Sequence, residues 1–235
     1  MKYLILLIST LWSVASIAQI VPSRYLSETQ LELQKKWPEN RTINLVFHGH
    51  SVPSGYADTP NVRTLQAYPY QVLQAVKEVY PYAVVNSITT SIGGENSEQG
   101  AKRFRKDVLT HRPDVLFIDY ALNDRGISLE KARKSWESMI KEALKEGIKV
   151  ILLTPTPDLT EDITSDDSPL EIHSRQIRHL AKVYEIGLVD SYAAFREMKK
   201  DGIELNSFMS QSNHPNQKGH LVVTELILDY FMNAH

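Results

Sequence analysis

The chain has 235 residues, with 26 lysines and arginines against 28 aspartates and glutamates, for a net charge of −2. That balance gives no electrostatic case for nucleic acid or an anionic membrane surface as a partner, and the length fits one α/β domain with a full core rather than two domains. The absence of cysteine excludes thiol catalysis and cysteine-ligated zinc, and it leaves stability to packing rather than to disulfides.

The opening stretch MKYLILLISTLWSVASIAQ has the three parts of an export signal: Lys2 as its positive end, an apolar run from Tyr3 to about Val14, and the small-residue site Ser16-Ile17-Ala18. Ser9, Thr10 and Ser13 interrupt the run and leave it shorter than the roughly 18 residues of a spanning helix. The expectation is removal before Gln19, with residues 1–18 as signal, residues 19–235 as the working domain, and a periplasmic or extracellular location with no membrane span in the mature chain. An uncleaved anchor is the alternative.

From there, short β-branched runs alternate with longer segments whose apolar residues recur at helical spacing, the pattern of βαβ units on a parallel sheet. Strands are expected at about 43–48, 83–88, 114–120, 148–154 and 187–190. Most of these runs are apolar along their length, as strands covered on both faces are. Helices are expected near 65–79, 97–111, 129–146, 169–185 and 217–233. In the third of them Leu129, Ala132, Trp136, Met139, Ile140, Ala143 and Leu144 form one stripe and Gly147 marks the stop; that stripe reads as core. Two long irregular stretches, VPSGYADTPNVRT and TPTPDLTEDITSDDSP, follow the first and fourth strands, where ligands bind in such sheets.

The same edge collects the residues that carry chemistry. Ser51 ends the run INLVFHGHS, and a serine at a strand end can expose its hydroxyl and offer its own N–H to an oxyanion; alternatively it caps a turn. Gly94, in SIGGENSEQG, is a candidate backbone donor to the same oxygen, or part of a turn capped by Asn96 or Ser97. Asn123, after VLFIDYAL, is a candidate side-chain donor, or the centre of an Asx-turn or helix cap. His214 lies in SNHPNQKGH after a polar loop without strand character, where it has no core role, and an imidazole is the usual base for a serine at neutral pH.

These four ordered blocks resemble the SGNH family, also called GDSL hydrolases, over nearly the whole mature length; HPNQKGH is the most specific piece. The resemblance implies a three-layer α/β/α sandwich around a five-stranded parallel sheet, flavodoxin-like. It implies Ser51 as nucleophile, Gly94 and Asn123 as oxyanion donors beside the Ser51 N–H, and His214 as base, with no cofactor and no metal. Gly49-His50-Ser51 stands where the family often has Gly-Asp-Ser, and Ala121-Leu122-Asn123-Asp124 where it has Gly-x-Asn-Asp. The family usually places an aspartate three residues before the histidine, and here that position is Gln211. The expected base is therefore a Ser51–His214 dyad steered by Gln211 or a backbone carbonyl, with a carboxylate recruited from elsewhere, Asp124 or Glu95, as the rival.

Around this set, Arg125 is a candidate grip for an anionic group on a substrate or a surface ion pair, and Tyr56 with Tyr68 a stacking surface for a sugar or loop packing. Of His48 and His50, packing or hydrogen bonding is expected rather than a metal. The acidic loop with Asp158, Glu161, Asp162, Asp166 and Asp167 reads as a solvated edge rather than a calcium site. The function expected from the resemblance is a serine esterase acting on O-acyl, chiefly O-acetyl, esters of a carbohydrate. The alternatives are a lipid or sulfated-sugar ester hydrolase of the same fold and a non-catalytic glycan-binding relative.

Overall fold

The computed structural model describes residues 21–232; the expected signal at 1–18 lies outside them. Among the described residues no helix is long and apolar enough to cross a membrane. Strands β1 (Thr42–Gly49), β2 (Val84–Thr89), β3 (Val115–Asp119), β4 (Lys149–Leu153) and β5 (Gly187–Val189) form one parallel sheet in the order β2-β1-β3-β4-β5. This is the doubly wound order of flavodoxin-like sheets, which opens a crevice between the first and third strands at their carboxyl ends. The sequence-based strands agree with these within a residue or two.

Side chains alternate between the two faces with period two, and this alternation builds two cores. Leu45, Phe47, Val115, Phe117, Ile151 and Leu153 face one side, where helices α1 (Ser27–Gln34), α2 (Tyr68–Val79), α6 (Ser191–Lys200) and α7 (Gln217–Leu228) supply Leu33, Val72, Phe195 and Val223. Val46, Leu116, Ile118, Val150 and Leu152 face the other. There α3 (Ser97–Asp107), α4 (Leu129–Lys145) and α5 (Pro169–Val183) bring Phe104, Trp136, Met139, Ile140 and Ile177. Each such side chain contributes about 1.5–3 kcal/mol when fully buried. The stripe expected on α4 is core from Ala132 to Ala143, while Leu129 and Leu144 at its ends are exposed. On the β5 edge one hydroxyl serves both backbone groups of Leu188: Tyr230 Oη donates to its carbonyl at 2.8 Å and accepts its N–H at 2.7 Å, closing an edge that would otherwise invite pairing.

Two helices, α1 and α6, were not expected from the apolar pattern. In α1 the inward residues include Thr29 and Gln30; Gln30 is buried because its amide donates to the Tyr230 and Ser23 carbonyls, so a polar residue fills an apolar position and hides the period. The loop after β1 is also more ordered than its composition suggests. It holds a single helical turn at Ser51–Ser54, an isolated bridge between Tyr56 and Val62, and a 3-10 turn at Thr64–Gln66.

Candidate active site

β1 stops at Gly49, and Ser51 begins the one-turn helix with its side chain buried at the carboxyl edge of the sheet. The expected strand-less character of the segment before His214 is corrected by the structure. Met209–Gln211 (β6) and His214–Pro215 (β7) form a two-stranded antiparallel hairpin with Gln211 opposite His214, after a 3-10 turn at Leu205–Phe208. Asn216 then caps α7 by accepting the Lys218 and Gly219 N–H groups, and a Cβ on Gly219 would lie 2.2 Å from the Phe208 carbonyl oxygen. The HPNQKGH motif therefore docks the hairpin on the helix start at a distance only glycine permits. The result is His214 Nε2 2.8 Å from Ser51 Oγ.

The other two blocks are tied to this pair through the backbone. Ile92 N–H donates to the Gly49 carbonyl at 3.1 Å, fixing the second block beside the nucleophile turn. Asn123 Nδ2 donates to the Glu95 carbonyl at 2.8 Å, which fixes the third block to the second and leaves the amide one further N–H. Asn123 is thus neither an Asx-turn nor a cap; Asn96 has the cap role, in a capping box with Gln99. Gly94 has φ +80, a conformation side chains disfavour. Neither its N–H nor that of Ser51 has a hydrogen-bond acceptor among the described residues. A nucleophile–base pair and unpaired donors on one edge can take up the proton and the oxyanion of an acyl transfer.

Gln211 is the partner of the second ring nitrogen, with Nε2 2.5 Å from His214 Nδ1. The orientation of this amide decides the chemistry. An N–H facing Nδ1 puts the ring proton on Nε2, where it points at Ser51; the amide oxygen facing Nδ1 accepts its proton and leaves the Nε2 lone pair for the serine. The second orientation is the one a base needs. Neither rival carboxylate takes this place. Asp124 is fully buried and accepts from the Ser97 N–H and the Trp136 indole, both at 2.7 Å, while Glu95 is paired with Arg103 at 2.6 Å.

Burial holds the His214 pKa below the ordinary histidine value; the Ala57 carbonyl and the Asp158 charge pull the other way. The ring is accordingly neutral, as a base must be, down into mildly acidic solution. Gln211→Glu preserves the length of the side chain and adds a charge. We expect it to raise kcat about tenfold and to move the acid limb of kcat/KM upward by about one to three pH units, because a carboxylate within contact favours the imidazolium. An unshifted limb in the folded variant would mean that the Ala57 carbonyl, not residue 211, orients the ring.

Arg125 is held in ion pairs, one of the two readings its position allowed. Its guanidinium donates to the Leu122 carbonyl at 2.8 Å, pairs with Asp158 at 2.9 Å and with Glu161. The acidic loop is correspondingly not a plain solvated edge: Asp158 is 6% exposed, Leu159 N–H donates to the Ser212 carbonyl at 2.7 Å, and only the outer carboxylates face water. This loop braces Arg125 on one side and the hairpin on the other. Tyr68 is buried, with its hydroxyl on Asp119, so it offers no stacking surface. Tyr56, 40% exposed, lies against Gly93 with its ring 6.2 Å from that of His214. Val62, Ile92 and Leu159 are also exposed on these loops, so the rim carries apolar surface. His48 is buried and bonded to Thr90, Gly100 and Tyr120, and no cluster of three or more potential metal ligands occurs among the described residues.

A family model described as the GDSL-like lipase/acylhydrolase family matches residues 47–222. The uncharacterized lipoprotein YqeF of Bacillus subtilis strain 168 is 36% identical over 78 residues, which are 30% of this chain and 32% of that protein. An acetylxylan esterase of Geobacillus stearothermophilus is 22% identical over 174 residues, 69% of this chain and 78% of that one. Among solved structures, a two-domain esterase active on acetylated mannans superposes with a TM-score of 0.70 at 23% identity, covering 88% of this chain and 52% of that one. The Geobacillus stearothermophilus acetylxylan esterase Axe2 also gives 0.70, at 20% identity, with 80% and 94% covered. The chain thus spans about half of the two-domain esterase and its match covers about a third of YqeF; the structural likenesses establish the fold.

Proposed function

Since the chain belongs to the GDSL-like lipase/acylhydrolase family, we propose that it is an exported serine esterase that removes O-acetyl groups from a carbohydrate through an acyl-enzyme on Ser51. The observation that carries this reading is the 2.8 Å approach of Ser51 Oγ to His214 Nε2 beside two unpaired N–H groups. Ser51 Oγ attacks the ester carbonyl while its proton passes to His214 Nε2. The oxyanion so formed is held by the Ser51 and Gly94 N–H groups and the free N–H of the Asn123 amide. The C–O bond to the sugar then breaks and the proton on His214 leaves with the alcohol. Water, giving its proton to the same nitrogen, attacks the acyl carbonyl, and acetate departs as Ser51 recovers its proton.

Two relatives of this fold act on acetylated mannans and on acetylxylan, which supports an acetylated polysaccharide as the substrate class. Tyr56 beside the His214 ring is a platform on which a pyranose can stack. The anionic-substrate reading loses its support, because Arg125 is engaged by two carboxylates. Residues 1–18 are the proposed export signal and 19–235 the hydrolase domain. The exposed Val62, Ile92 and Leu159 favour a second reading, an ester with a longer acyl chain.

One experiment separates the two: mass spectrometry of acetylated xylan and mannan oligosaccharides before and after incubation, alongside p-nitrophenyl esters of increasing chain length. Loss of acetyl mass with a preference for p-nitrophenyl acetate is the expected result. Untouched oligosaccharides with rising rates on octanoate would replace it by the lipid reading, and no turnover of any ester would leave a glycan-binding protein.

A further inference from the structure

The nucleophile turn is capped by a histidine in place of the usual small polar residues. His50 has φ −105 and ψ −146 at the N-cap of Ser51–Ser54, and its Nδ1 accepts the Val52 N–H at 3.2 Å. The same nitrogen lies 3.5 Å from Ser51 Oγ, farther than His214. The ring is 1% exposed and its far nitrogen, Nε2, stands 3.3 Å from Asp119 Oδ1. Asp119 ends β3 and is 4% exposed; its second oxygen accepts the Tyr68 hydroxyl at 3.0 Å. Tyr68 is held in turn by its N–H on His220 Nδ1 at 3.3 Å.

Donors and acceptors along this chain match in one way. With Nδ1 accepting from Val52, the imidazole proton sits on Nε2; its nearest acceptor is Asp119 Oδ1 at 3.3 Å, close but out of hydrogen-bond alignment, and neither atom has another partner among the described residues, while Asp119 Oδ2 takes the Tyr68 O–H. Asp119 therefore selects the tautomer whose other nitrogen can cap the turn. That cap uses up the Val52 amide and holds the turn so that the next unpaired N–H at its head is that of Ser51 itself. We propose that His50 is a positioning residue, set by Asp119 and Tyr68, that holds the Ser51 N–H and hydroxyl in the geometry for acyl transfer. The proposal rests on Ser51 being the nucleophile. In this chain a ring nitrogen thus does what a small capping side chain does elsewhere, and the carboxylate stands one residue farther back, on the neighbouring strand.

Three variants test it, with kcat and KM on p-nitrophenyl acetate, a melting curve for each, and the ¹⁵N shifts of the His50 ring in the wild-type protein. His50→Leu fills the volume without an acceptor and is expected to lower kcat about 10- to 100-fold at nearly constant KM, the scale of a nucleophile displaced by about an ångström. His50→Asn presents an amide oxygen that can cap the same N–H and is expected to stay within about threefold of wild type. Asp119→Asn removes the charge that selects the tautomer and is expected to behave like His50→Leu. The ring shifts are expected to report a proton on Nε2 and a hydrogen-bonded Nδ1.

A folded His50→Leu protein with wild-type kcat, or leucine and asparagine variants equally impaired, overturns the positioning role. So does a proton found on Nδ1, a result that stands even where a variant fails to fold. Full activity in Ser51→Ala would instead overturn the esterase reading itself and take this proposal with it.

Discussion

Ser51→Ala is expected to lower kcat on p-nitrophenyl acetate by about 10³- to 10⁵-fold while leaving KM within a few-fold. In a complete triad the loss of the serine costs about 10⁶, and the acid accounts for a sizeable part of that. Here the ring is oriented by an uncharged amide, so the wild-type rate starts lower and the span to the variant is shorter. His214→Ala is expected to fall to about the same level, and the double variant no further, as when attack and proton removal are one event across the 2.8 Å contact. Steady-state rates of the three proteins on one substrate check this. Additive losses, or a Ser51→Ala protein that retains its rate, would remove the nucleophile from Ser51.

Asn123→Ala is expected to give the second large effect, about 10²- to 10³-fold in kcat, the usual consequence of removing one oxyanion donor. Its amide also donates to the Glu95 carbonyl at 2.8 Å, so alanine loosens the turn that carries Gly94 as well. Asn123→Asp separates the two contributions. It preserves shape but replaces the donor by an acceptor that repels both the oxyanion and the Glu95 carbonyl, so it should be no better than alanine. If either variant raised KM at constant kcat, Asn123 would hold ground-state substrate rather than the transition state.

Much of this candidate site is legible in the sequence. Each strand announced itself as a short apolar run, and the residue following it was therefore placed on the ligand-binding edge. Ser51 and Asn123 needed nothing more than that, since both sit one or a few residues past a strand end. The spacing of Gln211 and His214 likewise singled out residue 211 as the ring's partner once the resemblance was stated. The hairpin that makes them neighbours has only two or three residues per strand, too short for a period to register. Arg125 shows the opposite case. Its neighbours Asn123 and Asp124 left both a grip on substrate and an ion pair open, and the ion-pair partners, Asp158 and Glu161, lie 33 and 36 residues away. His50 and Asp119 could have been joined from the strand order alone, because in a 2-1-3-4-5 sheet the ends of β1 and β3 lie side by side; without that order, two strand-end residues 69 positions apart had no reason to be paired.

What the sequence determined by itself is whatever is written in local periodicity: five strands, the helices between them, and the edge on which the chemistry collects. Burial follows from alternation at two or 3.6 residues, and alternation is a property of a short window. The tertiary structure alone decided which polar groups consume one another there. It gave Arg125 to the loop after β4, Asp124 to Trp136 and the Ser97 amide, Glu95 to Arg103, and Gln211 to the imidazole. Those assignments depend on two or three ångströms between segments far apart in the chain, and a hydrogen bond or ion pair that short range leaves no periodic trace in the sequence that makes it.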